Sequence, residues 1–195
     1  MTARSQDETT PPEFRAALAE LRAAVWRREL SVEEIPSPQR IAPHSIALDA
    51  ELLRDDDVIG TGRLVLLYDP AGNDAWDGRF RCVTFAKAEV EPEMVRDPLL
   101  ADVGWSWLVE ALDNHGASYR EPSGTVSAVI STPFGGLADE PGRAELEIRA
   151  SWTPNLDAGR GLGAHLSAWE DLLSMTAGLP VAPPGVVTLS PRRRR

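Results

Sequence analysis

The chain has a single cysteine, a single lysine and no long apolar run. Cys82 alone can form neither an intrachain disulfide nor a multi-cysteine metal site. No stretch approaches the roughly 18 to 20 consecutive apolar residues that a membrane-spanning helix needs. Met1 to Thr10 is polar and lacks the hydrophobic segment of a secretory signal. Together these absences lead us to expect a protein of the reducing cytoplasm, with no membrane partner.

Lysine is nearly absent: Lys87 is the only one, and the other 19 basic residues are arginine. No structural demand would replace nearly every surface lysine, so GC-rich coding DNA is the expected cause. The net charge of −10 is unevenly placed. Residues 181–195 hold four arginines and no acid, which leaves 16 basic against 30 acidic groups, or −14, in residues 1–180. A body this acidic repels phosphate backbones at long range, so nucleic acid is not expected as the main partner. Arg192 to Arg195 could support only weak, salt-sensitive contact.

With 195 residues, 43% hydrophobic and 26% charged, the chain fits one globular domain. The expected layout is a disordered lead over 1–10, a single domain over 11–180 and a basic tail over 181–195. Thr10 with Pro11, Pro12 and Glu13 predicts a helix start, and Phe14, Ala17, Leu18, Leu21, Ala24 and Val25 keep helical spacing to about Arg28. Pro36, Pro38 and Pro43 read as an extended connector. Strands are expected at Ser45 to Glu51, Arg63 to Asp69 (a continuous apolar run suited to burial on both faces) and Gly78 to Val90. Asp97 and Pro98 predict a second helix start. Thr125 to Thr132 and Arg143 to Thr153 read as strands, the latter cleanly alternating. Leu162 to Ala177 reads as a last helix, ended by Gly178 and Pro180. The fold expected is α+β: an antiparallel sheet of about five strands with helices on one face, in the order α-β-β-β-α-β-β-α. That order resembles the small, acidic, dimeric chaperones of bacterial type III secretion, a likeness of element order alone.

Candidate chemistry is sparse. Gly159-Arg160-Gly161-Leu162-Gly163 could cradle an anion at a helix N-terminus, but it lacks the dinucleotide and P-loop spacings, and Asp157 stands beside it. His44, His115 and His165 show no metal-pair spacing. The set His115, Asp113 and Ser118 has no nucleophile elbow. The runs Asp55-Asp56-Asp57 and Asp69, Asp74, Asp77 read as turns rather than calcium loops. Glu145 and Glu147 share a strand face that is explained by solvation. Cys82 reads as a small buried hydrophobe. No catalytic residue, metal site or cofactor is expected from these patterns. Among six tryptophans, Trp107 and Trp169 lie on apolar stripes, whereas Trp105, about 100° round the helix from its next neighbour, either fills a second contact or faces a partner. Phe134 and Leu137 sit on an expected exposed turn and offer a second contact.

Three segments carry a resemblance: GRLVLLYDP (Gly62 to Pro70), DPLLADVGWSWLVEAL (Asp97 to Leu112) and EIRASWTP (Glu147 to Pro154). With EIPSPQR and AWEDLL as secondary signals, the chain resembles, from about Phe14 to Leu189, an actinobacterial family catalogued as the domain of unknown function numbered three thousand. The resemblance implies an intracellular actinobacterial protein and carries no activity, cofactor or catalytic residue with it. Its four-arginine end lies outside the resemblance.

The functional expectation is a non-enzymatic, protein-binding adaptor or chaperone-like module, self-associating as a homodimer or holding a protein partner. The alternative is a small-ligand binder or enzyme with a pocket between the sheet and the last helix, near Arg149, Trp152 and His165. That pocket needs the three side chains to converge on a cavity of about 300 Å³ or more. Whether the protein is an enzyme is left open by the sequence, which leans against it.

Overall fold

The computed structural model describes residues 10–156 and 160–181. Helix α1 (Pro12–Ala23) leads into strands β1 (Leu30–Ile35), β2 (His44–Arg54), β3 (Asp57–Asn73) and β4 (Gly78–Glu89). Helix α2 (Leu100–Asn114), strands β5 (Tyr119–Ser131) and β6 (Arg143–Pro154) and helix α3 (Gly163–Thr176) follow. The strands make one antiparallel sheet in the spatial order β1-β2-β3-β4-β6-β5. The α+β class and the antiparallel sheet stand as expected, with six strands rather than about five.

The added strand is β1, which makes the order α-β-β-β-β-α-β-β-α. Its residues, Leu-Ser-Val-Glu-Glu-Ile, lie on an edge of the sheet, where one partner and few apolar positions suffice. Helix α1 stops at Ala23 and not near Arg28, because Ala24 turns extended and Val25 is left 94% exposed. It also starts from Pro11 rather than from a Thr10 cap. Asp97 does not cap α2 directly. Its Oδ1 accepts from the Leu99 N–H at 2.9 Å, in a turn that hands the chain to Leu100. Asp55 and Asp56 both have positive φ, the signature of a two-residue hairpin turn, and join β2 to β3.

Alternation sorts the strands into two faces. Ile46, Leu48, Ala50, Leu64, Leu66, Cys82, Ala86, Ile148 and Trp152 point to the helices and are buried. Burying the leucine and isoleucine side chains among them stabilises a fold by about 1.5–3 kcal/mol each before entropy is counted. Small residues let the helices close down. A Cβ on Gly62 would lie 2.4 Å from Leu173 of α3, and one on Gly104 of α2 would lie 3.1 Å from Val126 of β5. The Arg63 to Asp69 segment is sealed on both sides only at Leu67, not throughout as expected: on that same face Arg63 is exposed and Val65 half-buried, because no described helix covers it.

The lead residues 1–9, positions 157–159 and the segment 182–195, with Arg192 to Arg195, lie outside the described residues.

Candidate functional site

The expected pocket of Arg149, Trp152 and His165 does not form. Trp152 and His165 meet on the helix side, both buried, with the indole N–H donating to His165 Nδ1 at 3.1 Å. Arg149 stands three residues before Trp152 on the same strand, so it points through the opposite face to solvent. Burial pushes the His165 imidazole down to about 4, so it is neutral and acts as the acceptor for Trp152. A cavity of about 380 Å³ beside the first turn of α3 has His165, Glu20, Ser118, Asn155 and Arg160 in its wall, without Arg149 or Trp152.

Other residues singled out in the sequence fall into structural roles. The indole of Trp105 packs against β5, where a Cβ on Gly124 would come within 2.9 Å of its ring, so Trp105 fills a second core contact. Phe134 and Leu137 are exposed, at 78% and 56%, on the turn between β5 and β6. The glycine-rich approach to α3 receives the protein's own carboxylate: Gly163 N–H donates to Glu20 Oε2 at 3.1 Å. Asp157 and Gly159 of that segment lie outside the described residues. His115 ends α2 and places Nε2 2.6 Å from Asp171 Oδ2 of α3, joining two helices. Glu145 and Glu147 straddle Lys87, at 2.8 and 4.0 Å. Cys82 is fully buried, and burial pushes its thiol up, away from the reactive thiolate. Among the described residues, no helix is long and apolar enough to cross a membrane, and no group of three or more His, Cys, Asp or Glu could hold a metal ion.

On the face that no described helix covers, β3, β4, β6 and β5 line an open concavity of about 530 Å³. Val65, Val83 and Phe85 give it an apolar floor, and Ser123, Thr125 and Ser151 line one end. Arg149 lays its guanidinium 5.0 Å from the Phe85 ring centroid, a cation–π contact, while Nη2 reaches Glu147 at 2.8 Å. Arg63 also lines the concavity and holds Asp49 at 3.0 Å. Both arginines keep more than half of their side-chain surface open. No acidic residue is among those lining the concavity.

Beneath the serine end lies Arg81, a buried cation that sequence reasoning missed. Its guanidinium donates to the Glu121 carbonyl and to three hydroxyls, those of Ser123, Ser151 and Thr153. Burial lowers its pKa from the usual arginine value, and the nearby Glu121 charge opposes that only in part. A bulge in β5 makes this cage. Glu121, with φ +48°, and Pro122 stand opposite Trp152 alone, which turns the Glu121 carbonyl toward Arg81. The available signal was the alternation Arg81, Val83, Phe85, which puts an arginine in line with the open-face hydrophobics.

No curated protein and no solved structure matches the chain. A family model described as "Protein of unknown function (DUF3000)" matches residues 10–187, and the chain belongs to that family.

Proposed function

We propose that the protein is a non-enzymatic adaptor that holds an acidic, apolar-bearing segment of a partner protein on the uncovered face of its sheet. The observation that carries this is the concavity of about 530 Å³, with Val65, Val83 and Phe85 between the guanidiniums of Arg63 and Arg149. Arginine and aromatic side chains are the groups that dominate protein interfaces. Two guanidiniums flanking an apolar floor favour an acidic guest at short range. The concavity is a broad stretch of sheet rather than a closed cleft, which suits an extended polypeptide. Its hydroxyls have no histidine or carboxylate base among the residues lining it, in keeping with binding rather than catalysis. The acidic composition and the buried Cys82 fit work in the cytoplasm.

The test is cross-linking of the full chain in extracts of its own host, followed by mapping of the linked segments. Wild type should link the open face to acidic segments of a partner, and Arg63→Glu with Arg149→Glu should cut this about tenfold or more, the weight of one good charged contact. Equal linking in both proteins overturns the reading. So does a wild-type dimer, seen by light scattering, that the double variant dissociates, because the face would then belong to a second copy. The alternative of a small ligand beside the last helix rests on the cavity next to His165. A compound that shifts the His165 imidazole resonances without touching the open face would favour it.

A further inference from the structure

Three hydroxyls accept hydrogen bonds from one buried guanidinium, and each must point its own hydrogen elsewhere. Arg81 is 7% exposed. Nη1 donates at 2.9 Å to the Glu121 carbonyl and to Thr153 Oγ1, and Nη2 donates at 2.7 Å to Ser151 Oγ and 3.0 Å to Ser123 Oγ. All four acceptors are neutral. Among the described residues no carboxylate forms an ion pair with Arg81. The guanidinium stays protonated, so a buried positive charge is hydrogen-bonded only to neutral groups and feels the Glu121 charge without an ion pair, an arrangement that a second anion close by would stabilise.

The hydrogens can be followed one by one. Thr153 donates to the Trp76 carbonyl, so its hydrogen is used. Ser123 Oγ and Ser151 Oγ lie 3.2 Å apart and share one bond, in which either is the donor. The hydrogen of the other serine has no acceptor among the described residues. It cannot point at Arg81 or at its serine neighbour, and both serines line the concavity. Arg149 lies two residues along β6 from Ser151, on the same face. An oxyanion at this spot would meet a polarised hydroxyl, the field of Arg81 and the exposed Arg149 guanidinium together.

We infer that Ser123 and Ser151, polarised by Arg81, form an anion subsite at one end of the concavity and that it takes a carboxylate. This rests on the docking role given to the open face above: the carboxylate belongs to an Asp or Glu of the bound segment, whose apolar neighbours lie on Val83 and Phe85. The β5 bulge is the device that builds the subsite, since it delivers the Glu121 carbonyl and Ser123 to one guanidinium.

The probe is 3-phenylpropionate, compared with its neutral amide of the same shape, titrated into the isotope-labelled full chain and followed by NMR. The acid should shift the backbone amides of residues 123–125 and 149–151 and bind about tenfold tighter than the amide, as expected for a hydrogen bond to a charged group. In Ser123→Ala with Ser151→Ala the preference should fall to within about twofold. If that pair of changes unfolds the chain by stripping Arg81, Arg149→Gln, which leaves the Arg81 cage intact, serves instead and should also lower the preference. Equal binding of acid and amide overturns the subsite, as does an undiminished preference in the variant used or the absence of shifts at 123–151 at millimolar acid. The cross-linking experiment leaves both serines intact and judges the docking face separately.

Discussion

The two faces of this sheet come from the same strands yet treat polar groups in opposite ways. On the helix side polar atoms occur in closed pairs: Trp152 with His165, and Trp169 with Thr84, whose hydroxyl in turn donates to the Arg63 carbonyl. The donors of both indoles and of Thr84 are spent inside the protein, and the result is stability. On the other side Arg81 is caged by three hydroxyls, of which one serine keeps a hydrogen to spare, and Arg63 and Arg149 stay half in water. Donors left over at a surface serve recognition rather than folding. In the proposed reading, the contrast separates scaffold from site in a chain whose motifs name neither.

The sharpest way to break the contrast is to cut into the helix side. Trp152→Ala should cost about 4 kcal/mol in urea unfolding, because it leaves a large hole and strips His165 of its donor. A loss below about 1 kcal/mol would mean that this face is not the core. Acid comes next. His165 titrates near 4 when folded, against 6.5 when free, so between these values the unfolded chain takes up a proton that the folded chain refuses. Stability should therefore fall as the pH drops from about 6.5 to about 4, by roughly 3 kcal/mol, and His165→Gln should flatten that part of the profile. An unchanged slope in the variant would assign the acid loss to other groups.

Smaller effects sharpen the comparison further. Gly62→Ala drives a methyl into Leu173 and should cost about 1–3 kcal/mol by calorimetry, although it adds apolar area. Val83→Thr on the open face should change stability by no more than about 0.5 kcal/mol, while weakening the cross-link to a partner. A large stability loss from Val83→Thr would show that this face is packed in solution, and the distinction between faces would collapse.

The helix side was legible in the sequence because alternation is a local property. Ile46, Leu48 and Ala50, or Leu146, Ile148, Ala150 and Trp152, announce a buried face within one strand. Helix α3 was equally plain, since Leu162, Leu166, Trp169, Leu173 and Thr176 are all buried. Strand β1 was hidden because an edge strand with Glu33 and Glu34 looks like a connector, and Ala24 and Val25 extended a helical rhythm that the chain abandons. The open face was hidden for a different reason. Its residues come from β3, β4, β5 and β6, and nothing local says that β6 inserts between β4 and β5. Arg149 was grouped with Trp152 and His165, although its odd separation from Trp152 along the strand places the two on opposite sides. Arg81 was one arginine among 19, and its burial depends on a bulge formed by a strand 40 residues away.

That bulge also has a consequence for how the chain behaves in a crowd. Strand β5 is an outer strand of 13 residues, long enough to template a stray strand from another molecule. Pro122 offers no N–H, and the left-handed turn at Glu121 swings the backbone out of line, so the outer rail is broken near its start. At the far edge β1 is only six residues long and carries two glutamates. The β1 rim is short and charged, and the bulge confines the unbroken run of the β5 rim to Ser123 through Ser131, so edge-to-edge growth of the sheet into fibres would have to begin there.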